Sequence, residues 1–153
     1  MLCAEIMTRD LTIIKADTPC QEIMRLLSAD PGRPLIVANE AGFLLGVVTA
    51  RDFLRLHLVR TQGDPFMASS PSGDDEALAS TVRRLGKLVA RDIMVESLIV
   101  AQVDTAVNSV IVSMVQQNLN FVPVVREGRI EGVIGRAEIL RLMISLIPAT
   151  SPA

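Results

Sequence analysis

The sequence predicts an α+β fold made twice over, two halves of order β-α-β-β-α packed face to face. Three observations carry this. The first is an internal repeat. Glu5-Ile6-Met7 and Asp17-Thr18 return 87 residues later as Asp92-Ile93-Met94 and Asp104-Thr105, while Gly46-Val47-Val48 and Leu54-Arg55-Leu56 return 86 residues later as Gly132-Val133-Ile134 and Leu140-Arg141-Leu142. Two copies of this length do not make a solenoid. The second is the change of hydrophobic period inside each half, from short apolar runs to a helical stripe and back. The third is composition. Half of the 153 residues are hydrophobic, and mean hydropathy is +0.42, enough to bury a core and too apolar for a disordered chain.

Each half opens with a short apolar strand, at residues 11–14 and 98–100. A helix follows. Thr18-Pro19-Cys20-Gln21 reads as a capping box with proline at the first helical position. Cys20, Ile23, Met24 and Leu27 then fall at i, i+3, i+4 and i+7, and Val107, Val110, Ile111 and Met114 repeat that stripe. A hairpin comes next: residues 35–37 turn through 39–42 into 43–48, and Val124-Val125 turn at Glu127-Gly128 into 130–134. A second helix closes each half, at 51–60 and 136–147. The domain reading is a first repeat at 1–60, a polar Gly/Pro/Ser linker at 61–73, and a second repeat at 74–153. The second repeat is preceded by an extra helix at 74–90 whose buried stripe is Leu78, Val82, Leu85 and Val89.

Several function classes are excluded. The charge sum of 15 basic against 17 acidic residues gives −2, which offers nothing to follow a phosphate backbone. With four Phe, no Trp and no Tyr, base-stacking platforms are absent. One histidine and two cysteines (His57, Cys3, Cys20) build neither a metal cluster nor a disulfide framework. No paired acid and base or nucleophile-base spacing is present, so the chain is read as having no catalytic residues. No apolar run reaches the length of a membrane span, and no signal pattern opens the chain; a reduced, cytoplasmic protein is expected. His57 reads as a packed or partly exposed helix residue, with a ligand or effector contact as the alternative. The methionines 7, 24, 94 and 114 read as core filler, and Phe66-Met67 as part of a loosely packed loop, with an anchor for a partner or lid as the alternative.

The ordered pattern of DIM, strand, Asp-Thr, helix, Pro-Val-Val, turn, Gly-x-x-Thr-x-x-Asp and helix, found twice, resembles the CBS domain, and the chain resembles a tandem pair, or Bateman module. The resemblance implies two repeats paired through their sheets around a pseudo-two-fold axis, with clefts that take adenine nucleosides or nucleotides: AMP, ADP, ATP or S-adenosylmethionine. It implies no required cofactor. In Gly46-Val47-Val48-Thr49-Ala50-Arg51-Asp52 it makes Thr49 the phosphate contact and Asp52 the ribose contact, with Val48 and Arg51 beside them. A carboxylate matches a vicinal diol, and a helix N-terminus suits phosphate. The resemblance draws the adenine pocket of this site from the opposite repeat: Leu98, Ile99, Asn120, Phe121 and Pro123. A second, weaker site has Gly135 for the hydroxyl residue and Glu138 for the aspartate, with Arg136, Leu11, Thr12, Arg33 and Pro34.

Thr49-x-x-Asp52 also fits a capping box, as does the Gly135–Glu138 spacing; capping and binding can coexist. The function expected is a ligand-sensing module acting on a partner protein; the alternative is a dimerisation or docking module with empty clefts. A homodimer is expected from the apolar weight of Phe53, Leu54, Leu58, Ile139, Leu142, Met143, Leu146 and Ile147.

Overall fold

The structure is a computed structural model describing residues 1–61 and 71–149, with side chains except at 58–61 and 71–74. Among the described residues there are seven helices and six strands, in the order α1 (Cys3–Ile6), β1 (Thr12–Ile14), α2 (Cys20–Ala29), β2 (Leu35–Ala38), β3 (Leu44–Val48), α3 (Ala50–Thr61), α4 (Pro71–Leu85), α5 (Ala90–Ile93), β4 (Ala101–Gln102), α6 (Val107–Gln116), β5 (Phe121–Arg126), β6 (Arg129–Gly135) and α7 (Arg136–Ser145). The architecture is mixed α+β with two three-stranded sheets, ordered β1-β2-β3 and β4-β5-β6. The first two strands of each sheet run parallel, with Thr12 opposite Leu35 and Ala101 opposite Val124. A parallel pair needs a crossover, and α2 and α6 supply it. The hairpin of β5 and β6 closes through Glu127 (φ 51°) and Gly128 (φ 80°), the two left-handed residues of a two-residue turn.

The chain divides into two compact units that interleave along the sequence. One, around the first sheet, comprises Thr12–Glu40 and Leu45–Ser97; the other, around the second sheet, comprises Met1–Leu11, Ala41–Leu44 and Leu98–Ala153. The first-sheet core holds Ile14, Cys20, Ile23, Leu35, Val37 and Val48, together with Leu85, Ala90 and Ile93 from further along the chain. The second-sheet core holds Ala101, Val110, Met114, Val122, Val124 and Ile134, together with Cys3 and Met7 from the start of the chain.

The same joints fasten the added segment in both units. In the first-sheet unit the Cys20 N–H donates to the Leu88 carbonyl (3.0 Å), and the Ala90 N–H to the Thr18 carbonyl (2.9 Å). In the second-sheet unit the Val107 N–H donates to the Met1 carbonyl (3.2 Å), and the Cys3 N–H to the Thr105 carbonyl (2.9 Å). Helix N-termini leave their first N–H groups without intrahelical partners; here a carbonyl of a distant segment takes one of them. Further along, Val47 and Val95 exchange both backbone hydrogen bonds, as do Thr8 and Val133. The glycine before each strand partner makes room. A Cβ on Gly46 would lie 2.9 Å from the Val95 carbonyl oxygen and 2.9 Å from Met94 Sδ, and one on Gly132 would lie 2.7 Å from the Thr8 carbonyl oxygen and 2.7 Å from Met7 Sδ.

Several local readings are corrected. Thr18 does not cap α2: its N–H donates to the Lys15 carbonyl and its Oγ1 accepts from the Lys15 N–H (3.0 Å), closing a turn. The N-cap is Pro19, with no side-chain bond to the helix, because the Leu88 carbonyl already serves the first N–H. The second repeat's first strand is Ala101–Gln102 rather than 98–100, since pairing with Val124 and Val125 sets its position. The extra helix ends at Leu85, and Ala90–Ile93 is a separate turn of helix. Of its expected stripe, Leu78 and Val82 are about half exposed, and the buried face carries Thr81 and Leu85, both at 5%. Ile139 is core rather than surface. Of the expected linker, residues 62–70 lie outside the described residues, Phe66 and Met67 among them; Thr61 ends α3, and 71–73 begin α4.

Candidate functional site

β3 ends in buried Val48 and delivers the chain directly to α3. Thr49 sits at that junction, with Arg51 exposed and Asp52 half-buried in the first turn of α3. The Thr49 N–H donates to Asp52 Oδ2 at 2.7 Å, and the Thr49 hydroxyl donates to the same oxygen at 3.0 Å. Oδ2 therefore holds two hydrogen bonds, while Oδ1 takes no protein partner among the described residues. At the equivalent junction in the second sheet, the Gly135 N–H donates to Glu138 Oε2 at 2.8 Å, and Arg141 donates to Glu138 Oε1 at 3.1 Å. Both carboxylate oxygens of Glu138 are thus occupied. The same backbone-to-carboxylate bond closes α5 (Val89 N–H to Asp92 Oδ2, 2.9 Å) and α1 (Leu2 N–H to Glu5 Oε2). The capping reading of Asp52 and Glu138 holds for this backbone bond. What distinguishes Asp52 is the added hydroxyl donor and the open second oxygen.

Val48, Thr49, Arg51 and Asp52 belong to the first-sheet unit, with Thr12, Arg33 and Pro34. There Thr12 faces Leu35 across the parallel pair, so Pro34, Leu35 and Thr12 share one end of the sheet. Leu11, Leu98, Ile99, Asn120, Phe121, Pro123, Gly135, Arg136 and Glu138 belong to the second-sheet unit. Phe121 pairs directly with Gly135, and the Asn120 carbonyl oxygen lies 3.6 Å from where a Gly135 Cβ would stand. The structure thus gathers Asn120, Phe121, Gly135 and Glu138 at one sheet end. Pro123 is fully buried in β5, and Ile99 is exposed just ahead of β4.

His57 on α3 is half-buried, its Nδ1 3.1 Å from Thr81 Oγ1 on α4. Thr81 donates its one hydroxyl proton to the Ala77 carbonyl at 3.0 Å, so the ring nitrogen is the donor. This joint left no mark in the sequence: Thr81 falls at helical spacing between Leu78 and Leu85, but as a polar residue it lies outside the expected stripe. Both cysteines are buried and free. Burial pushes the Cys20 thiol up to about 11, with a smaller contribution from the Asp92 carboxylate, and burial likewise raises Cys3. Among the described residues no group of His, Cys, Asp and Glu could hold a metal, and no helix is long and apolar enough to cross a membrane.

Two copies of one sheet topology, each ending in a strand-to-helix junction closed by a carboxylate, define a tandem-repeat module. The chain belongs to the CBS domain family, whose model matches residues 3–58 and residues 90–145. An uncharacterized protein of Methanocaldococcus jannaschii is 23% identical over 155 residues, covering 94% of this chain and 92% of that one. Among solved structures, the CBS-pair protein CBSX2 of Arabidopsis thaliana matches with a TM-score of 0.74 at 20% identity, over 94% of each chain. CBSX2 in complex with AMP gives 0.72 at 21% identity, over 94% of this chain and 96% of that one. The CBS domain pair of protein MJ0100, in complex with 5′-methylthioadenosine and S-adenosyl-L-methionine, gives 0.66 at 20% identity, over 95% of this chain and 97% of that one.

Proposed function

We propose that the chain is a regulatory module that binds an adenine nucleoside or nucleotide at Thr49 and Asp52 and passes the bound state to a partner protein, without chemistry of its own. Its ligand is drawn from AMP, ADP, ATP and S-adenosylmethionine; AMP-bound CBSX2 supports the first of these and the MJ0100 pair the last. The observation that carries the reading is the half-used carboxylate of Asp52 beside a hydroxyl at the start of α3.

The hydrogen bonds suggest how binding proceeds. The Thr49 hydroxyl has one proton, now held by Asp52 Oδ2. Turning it toward a phosphate frees an acceptor site on Oδ2, and the ribose diol then has both Oδ1 and Oδ2 available. The first N–H groups of α3 lack intrahelical acceptors and favour an anion there. Glu138 has no such reserve, since releasing it means breaking its ion pair with Arg141, and Gly135 has no hydroxyl to turn. The first motif is therefore the principal site and the second the weaker one.

Isothermal titration with AMP, ATP and S-adenosylmethionine tests this on wild type, Asp52→Ala and Glu138→Ala. Affinity should fall at least tenfold in Asp52→Ala, which removes hydrogen bonds to a charged acceptor worth about 1.5–3 kcal/mol each, and should change little in Glu138→Ala. Equal binding by wild type and Asp52→Ala rejects the site. Mass spectrometry of small molecules released from the purified protein would name the ligand.

The second reading is a docking or dimerisation module. It is favoured by the exposed Leu140, Met143 and Ile144 on α7, with Leu146 and Ile147 just beyond it, and by Leu54 on α3. A homodimer in the cytoplasm serves either reading.

A further inference from the structure

The two units differ at one face. In the first-sheet unit, Leu56 of α3, Leu88, and Asp92 and Ile93 of α5 form a trough. Helix α4 lies along it, adding Thr81, Arg84 and Leu85 to the lining and leaving a cavity of about 160 Å³. The covering is tight, with Thr81 and Leu85 each 5% exposed. By the repeat offsets of 86 and 87, the counterparts of Leu56, Leu88, Asp92 and Ile93 are Leu142, Met1, Glu5 and Ile6. These four also line one groove, with Glu138 and Ser145 at its edge, and its volume is about 430 Å³. Within that unit no counterpart of α4 lies over it among the described residues. Ile6 is half-buried where Ile93 is buried.

The chain itself shows what such a trough accepts. We propose that the Leu142–Ile6 groove is a docking site for an amphipathic helix of a partner protein carrying the pattern of α4: a small hydroxyl residue, an arginine three positions on and a leucine four positions on. Residues three and four apart share a helix face, so hydroxyl, arginine and leucine enter one groove together, as Thr81, Arg84 and Leu85 do. The leucine meets Ile6 and Leu142. The arginine meets Glu5, the counterpart of the Asp92 that shares the first cavity with Arg84. The groove carries two carboxylates, Glu5 and Glu138, against one guanidinium, Arg141, already paired with Glu138. With the Met1 α-amino group also in the lining the charges nearly balance, and Glu5, which accepts from the Leu2 N–H, is the carboxylate outside the Glu138–Arg141 pair that is open to the arginine. The proposal is independent of the principal adenine site, since it uses neither Thr49 nor Asp52; Glu138 of the weaker second site stands at the groove's edge.

The test is fluorescence anisotropy with a labelled synthetic peptide of residues 75–88, titrated with the full chain. Saturable binding is expected, with peptides carrying Leu85→Asp or Arg84→Glu at least tenfold weaker, as for loss of a central anchor. On the protein side, Leu142→Lys should weaken binding at least tenfold at an unchanged melting temperature. Absence of saturation by about 1 mM peptide overturns the proposal, as does equal binding by folded Leu142→Lys. If Leu142→Lys fails to fold, the peptide series on wild type decides, and equal binding by all three peptides overturns it. A groove already filled by a second copy shows as a dimer that excludes the peptide and dissociates in Leu142→Lys, which also overturns it. AMP at a concentration that fills only the Thr49–Asp52 site should leave peptide affinity unchanged, and Asp52→Ala should bind the peptide like wild type, so a failure of adenine binding and a failure of helix docking read out separately.

Discussion

Gly46→Ala places one methyl group where the structure has no room for it. The new Cβ would stand 2.9 Å from Met94 Sδ and 2.9 Å from the Val95 carbonyl oxygen. The thioether lies on a flexible side chain and can move. The carbonyl cannot move alone, because it accepts from the Val47 N–H at 3.1 Å while the Val95 N–H donates back at 2.9 Å. Relieving the clash means pulling this pair apart, at about 0.5–1.5 kcal/mol per hydrogen bond, or accepting overpacking at about 1–3 kcal/mol. Replacing glycine stiffens the unfolded chain and returns about 0.4–1 kcal/mol. The net expectation is a loss of about 1–2 kcal/mol, which for a chain of this length lowers the melting temperature by roughly 2–8 °C. Thermal and urea unfolding by circular dichroism measure it. Gly86→Ala is the control, since its Cβ would meet its nearest listener, the Arg83 carbonyl oxygen, at an ordinary 3.5 Å. The double variant Gly46→Ala/Met94→Ala relieves the sulfur contact but not the carbonyl. If Gly46→Ala melts with wild type, or the double variant recovers fully, the fixed carbonyl is not the reason for glycine here.

Asp52→Ala should also cost about 1 kcal/mol of stability as a lost helix cap, measured by urea unfolding alongside the titrations; no stability change would mean the cap bonds contribute nothing. Thr81→Val should remove the acceptor for His57, exposing the Nδ1 proton to solvent exchange in NMR, and a ring found protonated only on Nε2 in wild type would contradict the assigned tautomer. The raised Cys20 thiol gives a pH dependence with a definite sign. Its neutral form contributes stability that is fully present below the unfolded value of 9.0 and lost as pH rises through about 11. Cys20→Val, the residue found at the equivalent Val107, should flatten that decline, and parallel stability curves for both proteins would refute it. Light scattering should give about twice 16.6 kDa, and a monomer across micromolar concentrations would exclude the homodimer.

What the sequence revealed divides by the range of the interactions involved. The α2 and α6 stripes were legible because one helix face meets one core: Cys20, Ile23 and Leu27, like Val107, Val110 and Met114, are buried. The turn at Glu127-Gly128 was legible because its φ values are a local demand. Thr18 misled because its capping spacing is also the spacing of the Lys15–Thr18 turn, and the choice between them rests on Leu88, seventy residues away. The phase of α4 misled for a related reason: Leu78 and Val82 make a plausible stripe until Thr81 finds His57. At the candidate site, the Thr49–Asp52 pairing is local and was readable as a cap. The Arg141–Glu138 ion pair that separates the two motifs needs a side-chain direction that spacing does not specify.

The exchange of leading segments has a consequence for inheritance. Helix α1 lies at the start of the first repeat yet completes the core around the second sheet, and α5 lies at the start of the second matched repeat yet completes the core around the first. A polypeptide severed between them would leave each piece holding the other's missing part. Neither copy can be deleted, shuffled into another gene or replaced by a stranger without leaving a gap in its sister. Substitutions at Gly46 and Met94, or at Gly132 and Met7, must therefore be accepted together, although nearly fifty residues separate the first pair and more than a hundred the second. The duplication is in this sense irreversible: once each copy came to be closed by the other's leader, the pair became the smallest heritable unit.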